Sequence, residues 1–257
     1  MTDVSSDDRV AAALRAISLI DLTDLSDDHA HTGIDALCAR ARAHGTAAVC
    51  VWPEHVSRCS SELSGSGVRV ATVVNFPSGE RPLSQVAAMT HGALDDGADD
   101  IDVVLPYRAF LAGDLATAAT MISQVTAAVS APRIVKVILE TGALGDADTI
   151  RAAAELAIEN GADFVKTSTG KIPAGASLEA VTAMLAAVSA AERPVGIKPS
   201  GGIRTFDEAL QYIGLADSVM GEGWATPETF RFGASGLLDS LLAVVAGGPD
   251  VTGSSTY

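Results

Sequence analysis

Short runs rich in Val and Ile recur along the chain, separated by longer segments in which apolar residues return every three or four positions. The short runs read as strands over 47–52, 68–76, 100–107, 133–139, 163–168, 194–198 and 217–221. An eighth over 230–235 leads into a last helix. The longer segments 114–130, 146–161 and 177–191 are Ala-rich and amphipathic, which predicts helices. Asp146 caps the second of these, Ser177 with Glu179 suits the start of the third, and Gly161 stops the second. Two further helices, near 7–18 and 33–44, are expected before the first strand.

Three segments resemble one another: GADDIDVV from Gly97, GADFVKTS from Gly161 and LADSVMGE from Leu215. Each follows a helix and opens a strand, so the repeat sets Asp102, Lys166 and Met220 at one depth. The side-chain period of two sends Asp102 and Lys166 to the same face. Regular strand–helix alternation implies parallel strands with right-handed crossovers. Eight such units in about 250 residues predict a (β/α)8 TIM barrel with additional N-terminal helices. A doubly wound open sheet is the alternative, but no GxGxxG follows the first strand. The expected organisation is a single barrel domain over 1–257, with 247–257 as a flexible C-terminal tail.

Composition narrows the function. The chain has 257 residues, of which 48% are hydrophobic, enough for a large core. Its formal net charge is −15 and no basic stripe is present, which argues against nucleic acid as a partner. The acidic N-terminus lacks the basic start of a signal peptide, and no apolar run approaches the ~18 residues of a membrane span. Cys38, Cys50 and Cys59 lack metal-type spacing and read as reduced thiols, so a cytoplasmic setting is expected. His29 and His31 have no third ligand in view and read as a surface loop, so no metal is expected.

The basic residues are more informative. Of 17, thirteen are Arg, and the four lysines are Lys136, Lys166, Lys171 and Lys198. Three of these fall inside predicted strands. Arg serves elsewhere as the surface cation, so Lys marks places that need an amine able to lose its proton. One reading is structural, with each lysine filling the barrel beside a carboxylate; Lys136 paired with Asp100 fits it. The other is chemical. Burial and a second ammonium both favour the neutral amine, and a neutral amine forms Schiff bases with carbonyl substrates. Lys166 is then the nucleophile, Lys198 its perturber and Asp102 the proton shuttle, with Asp100 a weaker candidate.

Glycine-rich strand ends add a ligand class. KPSGGIR places Gly201, Gly202 and Arg204 after Lys198, and TSTGK places Thr169, Gly170 and Lys171 after Lys166. GASG carries Gly233, Ser235 and Gly236 to the start of the last helix. Exposed backbone N–H groups and a helix N-terminus together favour a phosphate. Asp21 and Thr23 in LIDLTDL suit either a helix cap or the barrel mouth.

The motifs FVKTSTGK, GIKPSGGIRT, DIDVVLPY, IDLT, VCVWP, VVNFP, KVILETG and RFGAS together resemble the deoxyribose-phosphate aldolases, from Ile20 to Tyr257. The resemblance implies a (β/α)8 barrel. It also implies reversible cleavage of 2-deoxy-D-ribose 5-phosphate to acetaldehyde and D-glyceraldehyde 3-phosphate by a Schiff-base mechanism, without cofactor or metal. By motif, Lys166 forms the Schiff base, Lys198 perturbs it and Asp102 moves protons through a water. The phosphate falls to Gly170, Lys171, Gly201, Gly202, Gly233 and Ser235, with Gly236 contributing through its backbone. Thr169, Lys136 and Arg204 join the expected substrate-binding set. Asp21 and Thr23 lie near the sugar hydroxyls, and Tyr257 resembles a terminal tyrosine whose tail folds over the site. Gly236 stands where some members have Ser, and Ser200 where some have Ala.

Two other functions fit these residues. One is a different Schiff-base aldolase or transaldolase on a phosphosugar. The other is a non-catalytic phosphosugar-binding barrel. A homodimer or tetramer is expected.

Overall fold

A computed structural model describes residues 6–26 and 31–248. Among these residues eight strands run in parallel: β1 Ile20–Asp24, β2 Ala48–Val51, β3 Arg69–Val74, β4 Asp100–Val104, β5 Ile134–Ile138, β6 Phe164–Lys166, β7 Gly196–Lys198 and β8 Phe232–Ala234. Each pairs with its sequence neighbour, and β8 pairs with β1. Parallel bridges Ile197–Phe230 and Ser200–Gly233 join β7 to β8 and close the ring. The fold is therefore a (β/α)8 barrel, with helices between the strands. No helix among the described residues is long and apolar enough to cross a membrane.

The predicted helices form where their caps place them. Asp114, Asp146 and Ser177 each accept a backbone N–H from three residues on and start the helices Leu115–Ala128, Ala147–Glu159 and Leu178–Ser189. Each buries an Ala-rich stripe; in Ala147–Glu159 it is Ile150, Ala153, Ala154 and Ala157. Gly161 takes φ +96° just past that helix, the left-handed stop that glycine tolerates best.

Several expectations need correction. Residues 217–221 are not a strand: 217–220 are the last turn of the helix Phe206–Met220, which opens with a Thr205–Glu208 capping box. Its buried positions Phe206, Ala209, Tyr212, Ile213 and Ala216 keep a helical period, whereas Ser218 and Val219 are exposed. Met220 therefore shares no depth with Asp102. The missing strand is β1, and Asp21 and Thr23 lie within it rather than capping a helix. Two aspartates in five residues disfavour a strand by propensity; burial of Asp21 among cations overrides it. The helix His31–His44 consequently lies between β1 and β2, and only Ser6–Ser18 precedes the first strand among the described residues. His31 opens that helix instead of lying in a loop, while His29 and the tail from 249 lie outside the described residues.

The ladder also sets the height of the inward side chains. Asp102 is paired with Lys136, whereas Lys166 is paired with Ile138 and Lys198. That two-residue offset across two strands is the stagger a closed barrel of this shear requires. Asp102 and Lys166 thus reach the same level, as their repeat predicts.

Candidate active site

The barrel interior holds a connected set of charges. Lys166 Nζ donates to Asp102 Oδ2 at 2.9 Å and Lys198 Nζ donates to the same oxygen at 2.8 Å. Lys198 also meets Asp21 Oδ2 at 2.6 Å. Lys136 lies behind them, 2.5 Å from Asp100, 3.2 Å from Asp102 Oδ1 and 3.5 Å from Asp21. Arg231 Nη1 donates to Asp21 Oδ1 at 2.8 Å, and Arg69 clasps Asp100 from the other side. All these groups except Arg69 are buried.

Asp21, Asp100 and Asp102 face four buried cations, Lys136, Lys166, Lys198 and Arg231. Burial alone would raise the Asp102 carboxyl, but Lys136, Lys166 and Lys198 outweigh it and hold it well below the usual carboxylate range. Asp21 is held down in the same way by Lys198, Lys136 and Arg231. Burial would lower Lys198, yet Asp102 and Asp21 outweigh it and raise it well above an ordinary lysine. Lys136 is raised against burial by Asp100, Asp102 and Asp21. Lys136 and Lys198 thus each answer to two or more carboxylates, whereas among the described residues Lys166 pairs with Asp102 alone.

Above this set lie the glycine-rich strand ends. Gly170, Gly201 and Gly202 take φ of +79°, +90° and +87°, which turns their peptides in a way L side chains resist. With the exposed Arg204 they line one cleft of about 470 Å³. Gly236 is the N-cap of the helix Leu237–Val245, and Ser235 precedes it. Ser235 shares a second cavity with Thr23, which places two expected binding residues together. A Cβ on Gly233 would lie 2.7 Å from Ser200 Cβ and 3.2 Å from Lys198 Cε, so the β8 turn is packed directly on that lysine.

Most of the other expected residues have partners within the protein. Lys136 is fully buried and pairs with Asp100, Asp102 and Asp21. Asp21 likewise spends both oxygens on Lys198 and Arg231. Thr23 donates to the Asp21 carbonyl at 2.8 Å. Lys171 Nζ donates to the Leu25 carbonyl at 2.8 Å and lies over the Trp52 ring. Tyr257 is outside the described residues. Two residues escaped the sequence reading. Arg231 has inward parity with Gly233 in the RFGAS motif, a signal that was available. Glu140 closes β5 in KVILETG and accepts from Thr169; a carboxylate at a barrel strand end was its only mark.

Comparison with known proteins follows the same lines. Residues 15–239 match the DeoC/LacD family aldolases. A deoxyribose-phosphate aldolase of Agrobacterium fabrum is 49% identical over 252 residues, covering 97% of each chain. Among solved structures, the tetrameric deoxyribose phosphate aldolase of Aeropyrum pernix has a TM-score of 0.75 at 26% identity, covering 93% of this chain and 97% of its own. The aldolase QR15 has a TM-score of 0.78 at 28% identity, over 90% of this chain and 96% of its own.

Proposed function

This chain belongs to the DeoC/LacD family of aldolases, and on that basis we propose that it reversibly cleaves 2-deoxy-D-ribose 5-phosphate through a Schiff base on Lys166. The observation that carries the reading is the lysine pair on one carboxylate oxygen, Lys166 and Lys198 on Asp102.

Within the ion-paired set four buried cations, Lys136, Lys166, Lys198 and Arg231, face the three aspartates Asp21, Asp100 and Asp102, so one amine of the set can give up its proton and leave three cations for three carboxylates. Lys166, with one carboxylate contact, is the amine that does so. Its Nζ attacks C1 of the open-chain sugar to form a carbinolamine, which loses water to give an iminium. Removal of the C3 hydroxyl proton then breaks the C2–C3 bond. The bonding pair moves into the iminium, leaving an enamine on Lys166 and releasing D-glyceraldehyde 3-phosphate. A proton returns to C2, and water frees acetaldehyde and the lysine. Asp102, kept ionised by its neighbours, carries these protons through a water. Lys198, kept charged, disfavours a second ammonium beside it. The glycine turns and the helix N-terminus at Gly236 receive the 5-phosphate.

Substrate and products are small molecules. We also infer a homodimer or homotetramer, in line with the tetrameric Aeropyrum pernix relative, to be read by light scattering. A cytoplasmic setting suits the three free, buried cysteines.

Acetaldehyde with borohydride tests the chemistry. A two-carbon adduct should map to Lys166, and Lys166→Met should lose both the adduct and release of glyceraldehyde 3-phosphate. An adduct on Lys198 or Lys136 overturns the assignment.

A further inference from the structure

Glu140 is held in an unfavourable backbone state. It takes φ +58° and ψ +58°, a left-handed conformation that costs a non-glycine residue energy and persists only when the surroundings fix it. The surroundings here are the strand that bears the nucleophile. Leu139 N–H donates to the Lys166 carbonyl and Thr141 N–H to the Thr167 carbonyl, each at 2.9 Å. The β5–β6 ladder therefore continues on both sides of Glu140, and the left-handed residue between them turns its side chain along the end of β6.

That side chain takes up one partner. Thr169 Oγ1 donates to Glu140 Oε2 at 2.5 Å, and Thr169 N–H donates to Oε1 at 3.3 Å. Thr169 Oγ1 in turn accepts the Lys171 N–H at 3.1 Å. With its proton committed to Glu140, the hydroxyl has its lone pairs free for that N–H. Glu140 thus spans the run from Lys166 to Lys171, gripping its first carbonyls through neighbouring amides and its turn through a carboxylate. The group is buried, and its carboxyl is pushed up by that burial. A buried carboxylate costs free energy to desolvate, and its hydrogen bonds go to this turn.

We propose that Glu140 is a positioning residue that locks the turn Thr169–Gly170–Lys171 at a fixed height above Lys166, and so sets the preference for a phosphorylated sugar. The inference rests on the aldolase reading above. Phosphate bound at this turn is measured from the nucleophile by the length of the sugar, so a loosened turn penalises phosphorylated substrates more than unphosphorylated ones.

The test is the selectivity ratio, kcat/KM for 2-deoxyribose 5-phosphate over kcat/KM for 2-deoxyribose. Glu140→Ala should lower this ratio roughly tenfold, about the effect of one charge-assisted hydrogen bond. The loss should appear mainly in KM for the phosphorylated sugar. Glu140→Gln retains an acceptor oxygen for the Thr169 hydroxyl and should recover most of the ratio. Inorganic phosphate, followed by 31P line broadening on the full chain, should bind Glu140→Ala about tenfold more weakly; this readout does not depend on turnover. If Glu140→Ala does not fold, Thr169→Val removes the same hydroxyl and should lower both the ratio and phosphate affinity. An unchanged ratio with unchanged phosphate affinity overturns the inference, as does a Gln variant no better than Ala. Failure of the unaltered chain to cleave either sugar would instead strike the aldolase reading, leaving the phosphate measurement to decide Glu140.

Discussion

Lys166 and Lys198 stand on adjacent strands in the same ladder rung and donate to one oxygen, Asp102 Oδ2. Two ammonium groups on a single acceptor oxygen repel each other, and burial weakens the screening between them. The repulsion is unequal in effect. Lys198 has Asp21 as a second anchor at 2.6 Å, whereas among the described residues Lys166 has no second carboxylate, so Lys166 is the less firmly held of the two.

Lys198→Leu tests that asymmetry. A like charge nearby favours the neutral amine, and this variant removes it, so less free nucleophile is expected at neutrality. Activity at pH 7 should fall by ~10² and climb by about tenfold per pH unit on the alkaline side until the amine is free. A pH–rate profile of unchanged shape would remove Lys198 from the mechanism.

Asp102→Asn keeps the size of the side chain and removes the base. Turnover should fall by ~10² or more, with borohydride trapping on Lys166 retained. Exchange of the acetaldehyde methyl protons with solvent, followed by NMR, isolates the proton step; a normal exchange rate would assign that step elsewhere.

Gly233→Ala should report the tight contact between the β8 turn and the site. The added methyl would press on Ser200 and Lys198, which must shift. Overpacking of this kind costs about 1–3 kcal/mol, visible as a lower urea midpoint, with reduced turnover because Lys198 moves. A variant with unaltered midpoint and rate would mean that the turn yields freely.

The meeting of Lys166, Lys198 and Asp102 was legible because lysine is scarce here and side-chain parity is reliable: all three point inward where alternation places them. The glycine turns were legible because their conformations exclude other residues. β1 was not, since Asp21 and Thr23 look like loop residues until Lys198 and Arg231 are seen to neutralise the aspartate. The false strand at 217–221 had the opposite cause: a short apolar run looks the same in a helix, and only burial of Ala209, Ile213 and Ala216 identifies its period. Glu140 needed the structure, because its left-handed backbone and its bond to Thr169 join segments far apart in sequence.

Asp21→Asn bears on the folded state as well as on the site. Asp21 spends one oxygen on Lys198 and the other on Arg231, both buried. Removing its charge leaves two cations with fewer partners, a loss of roughly 3–5 kcal/mol at pH 7 by analogy with broken buried pairs. The dependence on pH has a definite sign. Asp21 is depressed in the fold, so its contribution is full above the unfolded carboxylate value of about 4 and drains away as pH falls below it. Urea midpoints for the unaltered chain and for Asp21→Asn should therefore differ most at pH 5–7 and converge below about pH 4. A gap that stays constant from pH 7 to pH 3 would assign the loss to the shape of the amide and not to the missing charge.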